Sequence, residues 1–474
     1  MPHSSVTKVR HESHSVECRS KSSWLIDCLP LTPILLWWFA SIPGYFSPDS
    51  LDVFNQIRTG SWTSIHTTVY PLWFFVTSLN TRFISLVALS QTLALAAALI
   101  IFTRQLWPDP DRRFFRRAVL FLSSLNPAVG GLATMVWKDV PYSAGVLVVA
   151  SGLLMYERKS KLLQAPLTVA AGCLTISTFR WNGPLTVSLL IFAVALLFKK
   201  RTAQIAVMSA ALLLGVGTLL IPERLGVVEG PDWVLLNSRR LHDLSIALHN
   251  QTFVPSSDEL DQLVHVLPLD SWQRGGVDCS SHDELMFSEI SRLPANSRAK
   301  LSETNDIWWK LLRTQPEIIA KSRMCKFLPN LLPIQIGENR ALALWSRPNN
   351  IPDLAQPQHI PTLSQGVNRV LDWSNTNGLL HWSFFRAQVW LLLNVCLILI
   401  ARRRGVRILR PYVLIVSIAL SVMLSAGLVA VAQDFRYSAG ALILLQLSSL
   451  ALIHDVYTQR RNKPLLHQRE KCPE

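Results

Sequence analysis

The stretch S-P-D-S-L-D-V-F-N-Q-I-R-T-G-S-W-T-S-I-H-T-T-V-Y-P, Ser47 to Pro71, lies between two strongly apolar segments. It carries four side chains that can hold a charge, namely Asp49, Asp52, Arg58 and His66. An acidic pair at the point where a helix leaves a bilayer is costly unless it faces water or a substrate. The stretch therefore predicts a functional loop at one face of a membrane.

The composition of the whole chain is that of a membrane protein. Of 474 residues, 50% are hydrophobic and 16% are charged, against about a quarter charged in an ordinary soluble domain. Apolar runs of about 15 residues or more recur between short basic loops, as in a polytopic α-helical membrane protein. They lack the alternation of apolar and polar residues that is typical of membrane β-barrels. The predicted fold class is an all-α polytopic membrane protein.

The net charge of +15 is explained by basic clusters beside the apolar runs. The clusters occupy Arg112–Arg117, Arg158–Lys161, Lys199–Arg201, Arg402–Arg410 and Arg460–Lys463. Clusters in short loops mark the cytoplasmic side of a membrane protein, by the positive-inside rule. The basic excess therefore does not require nucleic-acid binding.

The topology that obeys this rule has about ten transmembrane helices, with both termini inside. It divides into a cytoplasmic tail at 1–23, a transmembrane module with spans 1–7 at 24–221, an extracytoplasmic domain at 222–383, spans 8–10 at 384–457 and a cytoplasmic tail at 458–474. The first outer loop is 47–82, and its apolar piece Val69–Leu79 is short enough to predict an interfacial helix. Single spans are predicted for Trp24–Phe46, Phe114–Val136 and Phe384–Ala401.

The extracytoplasmic domain is predicted to be mixed or mostly helical. Its segment Asn305–Phe327 is amphipathic, and it fits either a helix pair on the membrane surface or a core helix of the domain. Cys279 and Cys325 could pair in an oxidising compartment. The histidines of this domain lack metal-ligand spacing, which predicts surface positions for His242, His249, His265 and His282.

Charged side chains recur in the predicted outer turns, each beside a helix end. They are Asp49 and Asp52, Lys138 and Asp139, Arg180, and Asp434 and Arg436. Each could be a solvated cap or a local pair. Together with His66 and Tyr437 they supply cations that hold a phosphate and carboxylates that can act as general base. The chain has no nucleotide-binding G-x-x-x-x-G-K-[ST], no zinc H-E-x-x-H and no G-x-S-x-G.

Five short motifs carry a family resemblance. They are S-P-D-S at 47–50, His66 with V-Y-P at 69–71, N-P at 126–127 with W-K-D at 137–139, R-W-N-G at 180–183 and D-F-R-Y at 434–437. In their order, spacing and sidedness they resemble the GT-C superfamily of polytopic glycosyltransferases, which take a sugar from a polyprenyl-phosphate donor. The resemblance covers about 24–200, 305–327 and 384–457.

The resemblance implies roles for individual residues. The first-loop acidic position, which activates the acceptor or supports the site, falls on Asp49, and the second acidic position falls on Asp139. The phosphate-contacting basic residues fall on Lys138, Arg180 or Arg436. Further candidate substrate-binding residues are Asp52, His66, Tyr70, Asn182, Asp434 and Tyr437. The family's H-P-P-L-Y lacks its adjacent prolines here and appears as H-T-T-V-Y-P.

The implied activity is inverting transfer of a sugar to a cell-surface glycan, glycolipid or protein, at the periplasmic face of a bacterial inner (plasma) membrane. No cofactor is expected with certainty, although Asp49 and Asp139 could bracket a divalent cation. Three alternatives remain open: a transporter or flippase of lipid-linked sugars, a polymerase or ligase of surface polysaccharide, and a structural membrane protein with a periplasmic interaction domain. Transporters tend to carry ionisable sites near the mid-membrane, often in repeats, and no repeat is present in this chain.

Overall fold

A computed structural model describes residues 28–158, 164–197, 202–230, 233–277, 282, 284–290, 293, 300–333, 361–405, 409–429 and 435–469. Within these ranges the secondary structure is helical, and the only β-type pairings are two isolated bridges, Tyr45–Met135 and Thr63–Glu229. The all-α expectation is confirmed for this part of the chain.

The helices up to residue 224 are, in order, α1 Thr32–Ala40, α2 Pro48–Thr59, α3 Val69–Thr77, α4 Ile84–Leu106, α5 Arg113–Leu125, α6 Pro127–Thr134, α7 Asp139–Glu157, α8 Gln164–Phe179, α9 Gly183–Leu197 and α10 Thr202–Arg224. Those that follow are α11 Trp233–His249, α12 Ser257–Val266, α13 Leu269–Gly275, α14 Asn305–Thr314, α15 Pro316–Leu331, α16 Pro361–Thr376, α17 Gly378–Phe385, α18 Ala387–Arg403, α19 Arg410–Val429 and α20 Ala439–Arg469. Short 3₁₀ turns include Ser64–His66 and Phe435–Ser438.

Five helical stretches in the described residues are long and apolar enough to cross a membrane. They are α4, α7, α10, α19 and the stretch Arg436–Thr458, which includes the first part of α20. The pair α17–α18, bent by 70° at Arg386, makes a sixth if it is one span. The protein is therefore an integral membrane protein, whereas the count of about ten spans stays a prediction.

Three predicted single spans differ from the helices observed. Phe114–Val136 is divided into α5 and α6 at Asn126, whose side chain accepts a hydrogen bond from the Ala128 backbone and caps α6. Pro127 causes the break, because proline disfavours a helical conformation in the residue before it. Within Trp24–Phe46, α1 ends at Ala40. The third, Phe384–Ala401, is bent at Arg386 between α17 and α18.

Small residues allow the closest helix packing. A Cβ added to Gly172 in α8 would lie 2.6 Å from the Val149 backbone of α7, and one added to Gly152 would lie 2.7 Å from the Val169 side chain. Membrane helices associate closely where such small residues face each other, because their backbones can approach. The two helices thus form a tightly packed pair, and α7 begins at Asp139, the last residue of W-K-D.

A second, smaller core lies within 241–319, apart from the main helical core. Its members include Ile307, Trp308 and Leu311 of α14 and Ile319 of α15. The segment Asn305–Phe327 is thus a helix pair that contributes to a core, and α15 also packs along α19, where Phe327 lies over Gly427.

The prediction of surface histidines was wrong for two of the four. His242 and His282 are 0% and 4% exposed, and their rings meet edge to face with centroids 5.5 Å apart. His242 Nδ1 lies 2.6 Å from the Lys326 ammonium, so a buried polar contact replaces solvent there. Cys325 is disulfide-bonded, and Cys279 lies outside the described residues.

Candidate active site

The motif S-P-D-S is the start of helix α2. Ser47 and Ser50 form a reciprocal capping box, and Pro48 occupies the first turn. Serine at the N-cap and proline at the first helical position are the residue types that a helix start favours. The motif therefore places Asp49 in the first turn of α2, where a negative charge complements the helix dipole.

Asp49 forms ion pairs with two cations from distant parts of the chain. Its Oδ2 lies 3.3 Å from Lys138 Nζ and 3.4 Å from Arg436 Nη1. The three side chains are 27%, 16% and 17% exposed, respectively. The cluster of Asp49, Lys138 and Arg436 is thus partly accessible, and the structure brings these three predicted site residues together.

The turn that carries Lys138 is held by hydrogen bonds to the backbone of one residue, Val136. The carbonyl oxygen of Val136 accepts from Ser50 Oγ and, at 2.9 Å, from the hydroxyl of Tyr70. The Val136 amide donates to the carbonyl oxygen of Tyr45 at 3.0 Å. Tyr70 is only 1% exposed, so it supports the turn from inside the protein.

His66 lies between Lys138 and Asp52. Its Nδ1 lies 2.8 Å from Lys138 Nζ, and its Nε2 lies 3.0 Å from Asp52 Oδ2. Asp52 also accepts a hydrogen bond of 2.7 Å from Gln56 on the next turn of α2. His66 is buried, whereas Asp52 is 47% exposed, so this chain of contacts runs from the solvent to the Asp49 cluster.

Arg180 and Asp139 form a separate, buried ion pair. Arg180 Nη1 lies 2.6 Å from Asp139 Oδ1, and the side chains are 6% and 1% exposed. The guanidinium also lies over the rings of Tyr437 and Tyr142, 4.5 and 5.3 Å from their centroids. Of the three predicted phosphate ligands, Arg180 is therefore the least accessible.

Asn182 belongs to a buried polar network behind this pair. Its side-chain amide donates to Ser425 Oγ at 3.3 Å, and Ser425 contacts Thr186 Oγ1 at 2.6 Å. Thr186 in turn contacts the Tyr142 hydroxyl at 2.8 Å. The network joins α7, α9 and α19, so it positions these helices.

Aromatic rings form one wall of the Asp49 cluster. The Arg436 guanidinium lies 5.3 Å from the ring centroid of Trp137 and 5.2 Å from that of Tyr437. Tyr437 therefore lies between Arg436 and Arg180, and it links the two ion-paired groups through cation–π contacts. Asp434 lies outside the described residues.

Charge pairing lowers the pKa of both first-loop carboxyl groups. Burial raises the pKa of Asp49, but the positive charges of Lys138 and Arg436 outweigh it and hold that pKa well below its usual range. Partial burial likewise raises the pKa of Asp52, but the hydrogen bonds that it accepts from His66 and Gln56 outweigh it and lower that pKa. Both groups are therefore carboxylates at neutral pH.

The two carboxylates that could bracket a divalent cation both form ion pairs with basic side chains. Asp49 is paired with Lys138 and Arg436, and Asp139 with Arg180. Within the described ranges, no group of three or more histidine, cysteine, aspartate or glutamate side chains is arranged to hold a metal ion. The expectation of a divalent cation stays a prediction.

Several supporting residues are not evident from the motifs alone. Trp181 Nε1 donates to the Ser64 carbonyl oxygen at 3.0 Å, which ties the R-W-N-G turn to the 3₁₀ turn that carries His66. Ser64 Oγ also donates to Glu223 at the end of α10. A Cβ on Gly183 would lie 1.9 Å from the Ile176 carbonyl oxygen, which explains the glycine of that motif. In the sequence, only the tryptophans of W-K-D and R-W-N-G could have indicated these supporting contacts.

Comparison with known proteins gives little further guidance. No family model matches the chain, and no curated protein matches it. Among solved structures, the crystal structure of ArnT from Cupriavidus metallidurans bound to undecaprenyl phosphate is similar over 91% of this chain and 78% of that chain, with 15% sequence identity and a TM-score of 0.36. Similarity at this level is too weak to transfer a function to this chain.

Proposed function

We propose that this protein is a membrane glycosyltransferase that moves a sugar from a polyprenyl-phosphate donor to an extracytoplasmic acceptor. The supporting observation is the cluster of Asp49, Lys138 and Arg436, which places an ionised carboxylate and two partly exposed cations in one accessible place. Transfer from a lipid phosphate needs both kinds of group, since a phosphate must be held and a hydroxyl must be activated.

The phosphate is assigned to Lys138 and Arg436. Both are more exposed than Arg180, and they share a single carboxylate, so the three groups together carry one excess positive charge. A guanidinium binds phosphate through a planar fork, and an ammonium adds a point charge. The singly charged phosphodiester of the donor therefore competes with Asp49 for the same two cations.

This competition prepares Asp49 to act as a base. Before the donor binds, the neighbouring cations make the carboxylate a weak proton acceptor. When the phosphate forms ion pairs with Lys138 and Arg436, the pKa of Asp49 rises toward its usual value. The two cations that stabilise the carboxylate are then shared with a second anion. Binding of the donor thus increases the basicity of the group that activates the acceptor.

The chemical step is then a single displacement with inversion. Asp49 takes the proton of the acceptor hydroxyl, the hydroxyl oxygen forms a bond with the anomeric carbon, and the bond to the phosphate oxygen breaks. The lipid phosphate leaves with the electron pair, and Lys138 and Arg436 stabilise its charge. The active face is proposed to be periplasmic, on an inner membrane, because the basic loops are assigned to the cytoplasmic side.

The decisive experiment compares Asp49→Asn with a matched control. Asp258→Asn is suitable, because Asp258 also lies in the first turn of a helix that begins with a serine capping box, and it is exposed. Purified variants in proteoliposomes are given a radiolabelled polyprenyl-phosphate sugar, with membranes of a strain deleted for the gene as the source of acceptor. Binding of the polyprenyl phosphate alone is measured in parallel.

Asp49→Asn is expected to lower transfer by about 10²–10⁴-fold, the contribution of one positioned base. Its affinity for polyprenyl phosphate is expected to be kept or increased, since the competing carboxylate is gone. Asp258→Asn should match the wild type in both assays. Substantial transfer by Asp49→Asn would refute the assignment of the base. Wild-type protein that moves the lipid-linked sugar across the bilayer without transferring it would instead establish a transporter.

A further inference from the structure

His66 makes two contacts that require different protonation at its two ring nitrogens. Nε2 faces the Asp52 carboxylate at 3.0 Å and must carry a hydrogen to donate to it. Nδ1 faces Lys138 Nζ at 2.8 Å. An ammonium has three hydrogens to donate and no lone pair, so Nδ1 accepts from a protonated Lys138. The contacts together select a neutral imidazole with its hydrogen on Nε2.

The charges around this arrangement favour a protonated Lys138. Its ammonium lies 3.3 Å from the Asp49 carboxylate, which gains from a positive partner. A neutral lysine beside a charged imidazole would weaken that pair. The second nitrogen of a histidine commonly sets which tautomer the first presents, as when a carboxylate orients a ligating imidazole.

The hydrogen-bond acceptor at Nδ1 restricts where the ammonium can point. Lysine ends a flexible chain of four methylene groups, so it needs a partner on each side to stay in one position. Asp49 supplies one partner and His66 the other. The backbone of the His66 turn is itself held by the hydrogen bond from Trp181 to Ser64.

We propose that His66 is a positioning residue: it holds the Lys138 ammonium in place for the donor phosphate, and Asp52 holds His66 in the required tautomer. This inference rests on the proposed function, because it concerns the same phosphate site. It assigns His66 a task without contact with the sugar, and it separates Asp52 from the Asp49 cluster although both lie on α2.

Two substitutions divide the contacts of His66 between them. The side-chain oxygen of His66→Asn reaches the position of Nδ1, so it keeps an acceptor for Lys138 and loses the contact with Asp52. The side chain of His66→Gln reaches the position of Nε2, so it keeps Asp52 and loses Lys138. Neither amide titrates, and the two variants have similar polarity.

The first measurement is the affinity of each variant for undecaprenyl phosphate in nanodiscs at pH 8. His66→Asn should bind within about threefold of the wild type. His66→Gln should bind more weakly, and its transfer rate should fall by up to about 10²-fold, the effect of a displacement of about 1 Å at a reacting centre. Equal behaviour of the two variants would overturn the proposal.

The second measurement is undecaprenyl-phosphate binding by two Asp52 variants, which controls for misfolding of the His66 variants. Asp52→Asn keeps an oxygen that can accept from Nε2, so its binding should stay close to that of the wild type, whereas Asp52→Leu should resemble His66→Gln. No difference between the two Asp52 variants would contradict the role of Asp52. If the variants bind undecaprenyl phosphate in the expected order while the wild type transfers no sugar, the inference about His66 stands and the proposed function is refuted.

Discussion

The buried ion pair between Arg180 and Asp139 allows a sharp prediction about stability. The side chains are 6% and 1% exposed, and the closest atoms are 2.6 Å apart. Asp139→Asn removes one charge with almost no change in shape, and it leaves the guanidinium buried without its counter-charge. Removing one partner of such a pair typically destabilises the folded state by about 3–5 kcal/mol.

Other contributions to this change are smaller. The cation–π contacts of Arg180 with Tyr437 and Tyr142 remain in the variant. Loss of the negative charge in the first turn of α7 costs about 0.3–1 kcal/mol through the helix dipole. The destabilisation is therefore expected to come mainly from the uncompensated buried charge.

A double variant isolates the ion pair from the rest of the site. Replacing both partners, as in Asp139→Leu with Arg180→Met, removes both buried charges and should be close to neutral or stabilising, as for other buried pairs replaced by apolar residues. The assay is unfolding of the purified protein in mixed micelles by increasing denaturing detergent. The coupling energy follows from Asp139→Leu, Arg180→Met and the double variant that combines them.

The result also decides the role of Asp139. A structural role predicts that Asp139→Asn loses activity in proportion to the folded protein lost. If Asp139→Asn were as stable as the wild type and inactive, the ion-pair argument would be refuted and Asp139 would be a catalytic group. A double variant less stable than either single variant would contradict the argument as well.

Two further predictions concern pH and a close helix contact. Because the positive charges of Lys138 and Arg436 outweigh burial and lower the pKa of Asp49, its ionised form stabilises the fold above the ordinary aspartate pKa of about 3.9. The stability difference between wild type and Asp49→Asn should thus be widest near neutral pH and narrow as pH falls below about 4, measured by unfolding across that range; a constant difference would contradict it. Gly183→Ala should prevent normal accumulation of the protein, because its Cβ would lie 1.9 Å from the Ile176 carbonyl oxygen, whereas Gly366→Ala, which has open space, should accumulate like wild type.

Much of the candidate site could be predicted because its residues belong to local signals. The serines and proline of S-P-D-S determine a helix start, and that start sets the position of Asp49. The last residue of W-K-D, Asp139, is the first residue of α7, so Lys138 lies at the N-cap of that helix. Charges next to the ends of apolar runs predict one membrane face, and the structure brings three of these side chains, Asp49, Lys138 and Arg436, together.

The pairing within the site could not be predicted from sequence. Spacing along the chain does not show that Lys138 pairs with Asp49 and His66 while its neighbour Asp139 pairs with Arg180. Adjacent residues at the start of a helix point in different directions, and the partners come from other elements. The same limit applies to His242, whose burial depends on the distant Lys326.

Hydropathy also could not predict where an apolar run is broken into two helices. An apolar run gives the same signal whether its helix is continuous or broken, so Phe114–Val136 was predicted as one span. The break depends on a single proline and on the cap supplied by Asn126. These local details then position the Val136 carbonyl group that holds the Lys138 turn.

The central claim is that the Asp49 cluster transfers a sugar. Its most direct test is composition analysis of surface glycans, glycolipids and glycoproteins from a strain deleted for the gene and complemented with wild type, Asp49→Asn or Asp258→Asn. We predict that one sugar is lost on deletion and is restored by wild type and by Asp258→Asn, whereas Asp49→Asn fails to restore it. An unchanged composition in the deletion strain, or restoration by Asp49→Asn, would contradict the account.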